Sequence, residues 1–201
     1  MNSKIHVTCL ALFSLAAPLV HGQARSTATQ TMQLSVFGGV TGTYTGLEAG
    51  KNLGITAGAD LRFHSIYNWN PSLEIRGTSP VFHKGGVDSQ ENILAGLKVD
   101  RTYGRFHPYA DLLFGRGQIN YQSGGYPDLT QSFYYVQTPS NVFSPGIGVD
   151  YTLNDRFSVK ADAQFQHYDT PVTTSGSLYA KPLTLGVVYR FDFNPHHHRR
   201  R

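Results

Sequence analysis

The chain has a single cysteine among its 201 residues. That residue, Cys9, lies in an N-terminal apolar segment. A lone thiol excludes a disulfide framework and a cysteine-based metal cluster. Cys9 is also not preceded by the sequence pattern of a lipid-attachment site, so we expect no acyl anchor. The rest of the chain is free of cysteine, which suits a protein that crosses an oxidising periplasm before it folds.

Charged residues are scarce as well, at 15% of the chain, and the surplus of positive charge sits at the two ends. The formal net charge is +4, but without Lys4 and the terminal run Arg199–Arg201 the chain has 13 basic and 13 acidic residues. This balance argues against a nucleic-acid partner. After the N-terminal segment, no apolar run is long enough for a transmembrane helix.

The one sustained apolar run, from Val7 to Val20, has the features of a secretory signal. Lys4 gives it a positive start, and small residues around Gly22 and Ala24 fit a cleavage site. The run is shorter than the roughly 20 residues of a membrane-spanning helix. We expect residues 1–24 to be a signal peptide, residues 25–193 to form one domain, and residues 194–201 to be a basic His/Arg tail.

Residues near the C-terminus alternate in polarity. From Leu183 to Phe193 every odd position is apolar, and the even positions are mostly small, polar or charged. The length of this segment matches the roughly 9–11 residues that a tilted β-strand needs to cross a bilayer. The pattern predicts a membrane-spanning strand with one face toward lipid.

The same alternation recurs along the chain and predicts eight strands. They are Gln33–Thr43, Leu53–His64, Leu73–Thr78 after Pro71, Glu91–Asp100, Phe106–Ile119, a strand around Gly146–Tyr151, Phe157–Gln166 and Leu183–Phe193. The register of the first strand is ambiguous, because Phe37 falls on the face opposite Leu34 and Val36. Long connections around Gly42–Asn52, Ser79–Gln90, Asn120–Ser140 and Asp169–Pro182 alternate with short ones.

An even strand number with alternating long and short connections is typical of bacterial outer-membrane barrels. We therefore predict an all-β fold: an eight-stranded antiparallel up-and-down transmembrane β-barrel, with both termini in the periplasm. A soluble lipocalin-like barrel is the alternative. We reject it because the apolar face carries almost no charge and would aggregate if it faced water.

Four segments carry a family resemblance, namely Leu34–Gly39, Phe106–Ala110, Gly146–Tyr151 and Gly186–Phe191. They resemble small outer-membrane β-barrel proteins of the OmpA/OmpX type, particularly acidobacterial members. The resemblance implies a structural or adhesin-like role in the cell envelope of a Gram-negative bacterium.

The resemblance also implies insertion by the barrel-assembly machinery, with Tyr189, Phe191 and Phe193 as the C-terminal insertion signal. Members of the family usually stop at the terminal aromatic residue, so the tail at 194–201 departs from their pattern.

The face opposite the lipid carries charges of both signs. These residues are Asp60, Arg62, Glu74, Arg76, Lys98, Asp100, Asp111, Asp150, Lys160, Asp162, Arg190 and Asp192. Eight strands enclose an interior just wide enough for its own side chains. We expect opposite charges to pair across it and plug it, since an unpaired buried charge is unfavourable. The alternative is a narrow ion path, which would make the protein a small passive channel.

Enzymatic chemistry has little support in the sequence. A lipid-modifying barrel enzyme would need a Ser/His/acid group near the outer leaflet, and only His167 and Ser177 qualify by position. We expect no enzyme and no cofactor. The run His196–His198 would bind a divalent ion only adventitiously, so we expect no specific metal site.

The long external connections contain aromatic residues that suit contact with other molecules. Tyr121, Tyr126, Tyr134 and Tyr135 lie in the longest of them, beside flexible glycines. Tyrosine-rich loops are adaptable contact surfaces. They indicate an adhesin-like surface for an unidentified ligand, or alternatively an extension of the outer aromatic girdle. We expect a monomer whose main partner is the lipid bilayer.

Overall fold

The computed structural model describes residues 32–47, 50–63, 65–81, 88–122, 124–127 and 132–191. The predicted signal peptide and tail, with Asp192 and Phe193, lie outside these residues. In the part of the chain that is described, no helix is long and apolar enough to cross a membrane.

The described residues form an antiparallel barrel with eight positions in its wall. We call each position a stave; seven staves are single strands and one consists of two consecutive strands. Its strands are β1 Gln33–Tyr44, β2 Lys51–Arg62, β3 Trp69–Pro80, β4 Ser89–Arg101, β5 Phe106–Asn120, β8 Gln137–Thr152, β9 Phe157–Gln164, β10 Gln166–Asp169 and β11 Ser177–Arg190. Strands β9 and β10 follow each other along one stave. Two short strands, β6 Tyr126–Pro127 and β7 Tyr134–Tyr135, pair with each other as a separate hairpin.

The barrel closes through its first and last strands. On one side β1 pairs with β2, from Gln33 opposite Arg62 to Tyr44 opposite Lys51. On the other side it pairs with β11, from Ser35 opposite Arg190 to Tyr44 opposite Lys181. Closure leaves no free sheet edge, which a strand structure in hydrocarbon requires. The predicted fold is confirmed.

The two faces of the wall differ as the alternation predicts. Ile93 and Leu185 on the outside are each 68% exposed, whereas Glu74 and Lys160 inside are 2% and 1% exposed. The apolar face is therefore outside, opposite to a soluble ligand-binding barrel. The ambiguous first strand is also resolved, because the side chain of Phe37 points inward and is only 5% exposed.

Several predicted strand boundaries are wrong. The third strand, β3, runs from Trp69 to Pro80 rather than from Leu73 to Thr78, and two differences are larger. The sixth stave, β8, starts at Gln137, within the predicted connection Asn120–Ser140. The last strand, β11, runs from Ser177 to Arg190 rather than from Leu183 to Phe193, so the last connection is shorter than Asp169–Pro182.

The sequence pattern does not identify the start of β11, because the polarity of the two faces is exchanged at that end of the barrel. Leu178 and Ala180 point inward and are buried, while Tyr179 and Lys181 face outward. A search for apolar residues on the outer face cannot recognise such a segment as a strand.

The stave made by β9 and β10 is interrupted at Phe165 because prolines face it on both sides. The amide of Phe165 donates to the carbonyl of Pro145 at 2.9 Å, but Pro145 has no N–H to return the bond. On the other neighbour, the register of β9 with β11 places Pro182 opposite Gln164. The registers before and after Phe165 are continuous, so no residue is inserted at the interruption.

Inward glycines make room for large side chains, and Gly148 is the clearest case. A Cβ atom there would collide with the hydroxyl end of Tyr109 and with the carbonyl of Ala161. At Gly42, on the outer face, a Cβ atom would meet nothing within 4 Å.

We predict that Gly148→Ala destabilises the barrel by about 1–3 kcal/mol, as overpacking of a filled interior does. Gly42→Ala is the matched control and should change stability by less than about 0.5 kcal/mol. Urea unfolding in detergent micelles measures both. Equal stability of the two variants would show that the interior around Tyr109 is not tightly packed.

Candidate functional site: the filled lumen and the external hairpin

The inward charges meet in the half of the lumen nearer the chain termini. They come from β2, β3, β4, β5, β8 and β9, at positions where strand alternation turns every second side chain inward. Residues far apart in sequence thereby face each other across the barrel. The predicted charge cluster has two centres, Arg76 and Lys98.

Arg76 is surrounded by three carboxylates. Its Nη1 lies 2.7 Å from Asp162 Oδ1, its Nη2 lies 3.5 Å from Asp111 Oδ2, and it forms an ion pair with Glu74. The side chain of Arg76 is 2% exposed and those of its three partners are 0% exposed. This cluster crosses the lumen from β3 to β5 and β9.

Lys98 forms the second centre. Its Nζ lies 3.2 Å from Asp60, 3.4 Å from Asp150 and 3.8 Å from Glu74. Lys160 adds a weaker contact, with its Nζ 3.8 Å from Asp150. Glu74 thus links the two centres into one network.

Two aromatic rings lie among these charges. The Nζ atom of Lys160 is 4.5 Å from the ring centre of Phe37 and 4.3 Å from that of Tyr109, and Lys98 Nζ is 4.2 Å from Tyr109. Cation–π contacts of this kind are strongest where water is excluded. The Tyr109 hydroxyl also donates to Asp162 at 2.7 Å, so Tyr109 joins both centres.

The remaining charges lie at the rim near the chain termini. Arg62 pairs with Asp100 at 3.0 Å, and Asn70 donates to the same carboxylate at 2.7 Å. Arg190 was expected to pair with an opposite charge. Both of its terminal nitrogens instead donate to the hydroxyl of Thr152 at 3.2 Å. Of the predicted charge cluster, Asp192 lies outside the described residues.

Beside buried polar residues such as Thr56, Asn92 and Gln166, the other half of the lumen holds an apolar layer, which the sequence pattern did not reveal. Its buried residues are Leu47, Leu94, Leu113, Ile119, Tyr121, Val142, Tyr168, Leu178 and Ala180. Leu94 and Leu113 stand at inward positions, but two leucines among polar residues look like exceptions in the sequence. Only the barrel geometry brings them together with side chains from β8, β10 and β11.

The hairpin of β6 and β7 covers this apolar layer. Tyr121 is 7% exposed, and its hydroxyl lies 2.9 Å from Thr138 Oγ1 and 2.5 Å from Thr170 Oγ1. Tyr126 and Tyr135 are half-buried and pack against the layer. Tyr134, by contrast, is 64% exposed. Of the four tyrosines singled out as contact residues, Tyr134 presents its ring to the outside.

The structure brings His167 and Ser177 together on the outer wall. His167 Nε2 lies 3.1 Å from Ser177 Oγ, and the ring of Tyr179 is 5.2 Å from the imidazole. No carboxylate forms a hydrogen bond or ion pair with His167 among the described residues. The pair therefore lacks the acid that orients a catalytic histidine.

No group of three or more potential metal ligands occurs within the described ranges. The run His196–His198 lies outside them.

Aromatic residues cluster where β11 ends. The ring of Tyr189 lies 5.0 Å from that of Phe191 and 5.2 Å from that of Phe157, both in edge-to-face arrangements. Two of the three residues of the predicted insertion signal thus form part of an aromatic band at this rim. Such bands mark the membrane interface of outer-membrane barrels.

Several solved structures have a similar fold. Neisserial surface protein A superposes with a TM-score of 0.52 at 13% identity, covering 82% of this chain and 100% of that one. Ail, the attachment invasion locus protein of Yersinia pestis, gives 0.47 at 13% identity, with 82% and 100% covered. A major outer membrane protein from Thermus thermophilus gives 0.45 at 16% identity, with 80% and 100% covered.

Sequence comparison places the chain in a family. No curated protein sequence matches it. Residues 7–191, however, match the family model described as the outer membrane protein beta-barrel domain. The matched region spans most of the chain, and the closed barrel with an apolar outer wall agrees with it. The chain belongs to the outer membrane protein beta-barrel domain family, and it is an integral protein of the bacterial outer membrane.

Proposed function

We propose that this protein is a non-conducting, monomeric barrel that anchors an external contact surface in the outer membrane. The observation that carries the proposal is the filled lumen. The charged network occupies the half nearer the termini, and the apolar layer under the β6–β7 hairpin, together with buried polar side chains, fills the other half. A solute would have to displace both to pass.

The charged half resists passage because its two cationic centres are already paired with carboxylates. Arg76 and Lys98 each face three carboxylates within 4 Å. An ion entering the lumen would have to break these contacts without water to replace them, and a buried charge that loses its partners is strongly destabilising. The network therefore supports a structural plug rather than a selectivity filter.

The other half adds a second barrier. Leu94, Leu113 and Tyr168 are each 0% exposed, and Asn92 donates hydrogen bonds to Gln166 and to the hydroxyl of Tyr168. A solute would have to displace these packed side chains to pass.

The proposed contact surface is the exposed side of the external hairpin. Phe133, Tyr134 and Val136 are 51%, 64% and 62% exposed. The base of the same connection is held by Tyr121 and its two hydroxyl partners. Exposed aromatic residues on a fixed base are suited to binding a partner, because less ordering entropy is lost.

We further propose that both termini face the periplasm and that residues 1–24 are removed as a signal peptide. The even number of staves puts Gln33 and Arg190 at the same rim, and the hairpin-bearing connection lies at the opposite one. Barrels of this class have short periplasmic turns and longer external loops. The aromatic band with Tyr189 and Phe191 would then engage the barrel-assembly machinery from the periplasmic side.

The proposal also assigns a non-enzymatic role. His167 and Ser177 have no acidic partner in the described part of the wall, and a serine–histidine pair without one is poorly oriented for catalysis.

The network predicts that two arginine substitutions differ strongly in how much they destabilise the barrel. Arg76→Leu should destabilise the barrel by about 3–5 kcal/mol, because it leaves buried carboxylates without their cation. Arg62→Leu, at the rim with a side chain 26% exposed, should cost about 1 kcal/mol or less. The measurement is urea unfolding in micelles, followed by the shift between folded and unfolded bands in unboiled gels. Similar effects of both substitutions would contradict a buried network centred on Arg76.

A filled lumen predicts that the barrel does not conduct ions. The refolded full chain in planar bilayers should show no unitary current steps at 100 mV in 1 M salt. Stable steps whose amplitude changes in a Lys98→Gln variant would overturn the proposal and establish the small-channel alternative.

The orientation predicts which sites can be labelled on intact cells. In a Cys9-free background, Tyr134→Cys should react with a membrane-impermeant maleimide on whole cells. Asp155→Cys, in the exposed turn after β8, should react only after the outer membrane is permeabilised. The reverse pattern would place the termini outside.

A further inference from the structure

Two lysines flank one tyrosine on the outer wall, near the rim that carries the hairpin. Tyr44 is the last residue of β1, and it lies opposite Lys51 of β2 and opposite Lys181 of β11. All three side chains are exposed. Because directly opposite residues share a face of the sheet, the three form a single row across neighbouring strands.

The spacing of this row suits one anion held by two cations. Adjacent strands lie roughly 4.8 Å apart, so the backbones of Lys51 and Lys181 are separated by about 10 Å. The lysine side chain is a flexible four-carbon stem with a compact charge. Both ammonium groups can therefore converge on one site above the ring of Tyr44.

A cleft of about 350 Å³ adjoins the row and includes two of its members, Tyr44 and Lys181. Phe165 and Tyr179 form one wall, with their rings stacked 5.2 Å apart, and Lys181 Nζ lies 5.9 Å from the ring of Phe165. Ser177 also lines the cleft. The site combines positive charge, a hydroxyl and an apolar aromatic surface.

The positive charge of the row is not neutralised within the described residues. Neither lysine forms an ion pair there. Asp169, which also faces outward on this side, pairs in register with Ser177, four positions along β11 from Lys181. A lysine on the lipid face is tolerated only near the interface, where its stem extends along the wall and its charge reaches the headgroups.

We propose that Lys51, Lys181 and the adjoining cleft bind a phosphorylated glycolipid of the outer leaflet. A phosphate group lies between the two ammonium groups above Tyr44, and an acyl chain lies against Phe165 and Tyr179. The placement in the outer leaflet rests on the orientation proposed above, whereas the binding chemistry does not depend on it.

The test is lipid retention by the refolded full chain in detergent micelles, measured by native mass spectrometry. The probes are diphosphorylated lipid A and the same lipid after enzymatic removal of its phosphates, each with and without 10 mM inorganic phosphate. Lys51→Gln/Lys181→Gln is compared with Arg101→Gln/Arg116→Gln. The control removes the same charge from other outward positions, one of them at the opposite rim between Trp69 and Tyr103.

We expect the lysine double variant to bind phosphorylated lipid A about 20-fold more weakly, since it removes both charge-assisted contacts to the phosphate, which the arginines do not make. The arginine control should change affinity less than twofold, and the dephosphorylated lipid should bind wild type as weakly as the lysine variant binds the intact lipid.

Equal losses in the two double variants, or equal binding of both lipids, would overturn the proposal. Full displacement by inorganic phosphate would also overturn it, since the site would then select free phosphate. Because micelles have no sidedness, none of these results bears on the orientation, which the cysteine labelling tests separately.

Discussion

The pairing of β1 with β11 is the interaction on which the rest of this structure depends. In hydrocarbon an unpaired strand edge has no water to satisfy its amides and carbonyls, so the sheet must close. Closure with eight staves sets an interior only wide enough for side chains. The charges on the inner face are then forced into contact with one another. Membrane insertion and the buried ion network are thus two consequences of the same hydrogen-bonded ring.

Strand register connects that ring to the chemistry inside. A slip of one residue in β3 would turn Arg76 toward lipid and bring Ile75 into the lumen, because side chains alternate with a period of two. The slip would expose two charges, those of Glu74 and Arg76, to hydrocarbon and leave Asp111 and Asp162 without their cation. The network therefore contributes to specifying the register even if its net contribution to stability is small.

The sequence predicts the outward face well and the pairings inside poorly. Alternation identifies the lipid-facing residues of most strands, because one apolar face is all that the bilayer requires, but it leaves the register of the first strand ambiguous. It cannot pair Arg76 with Asp162, since those partners are set by the stagger of strands that are distant in sequence. Alternation along β5 turns Tyr109 inward, but its part in joining Lys98 to Asp162 depends on the space above Gly148. The start of β11 was missed for the related reason that Leu178 points inward.

The exchange of polarity at the start of β11 also indicates where recognition can occur on this barrel. The outer wall near the hairpin carries polar groups such as Ser177 and Lys181, since charge on the outer face is tolerated close to the membrane interface. At the opposite end the inner face holds most of the buried charges. In the proposed function the lumen is plugged, so selectivity resides in the hairpin and in the outer wall beside it. The charges inside stabilise one arrangement of strands, and the few charges outside are free to interact with lipid.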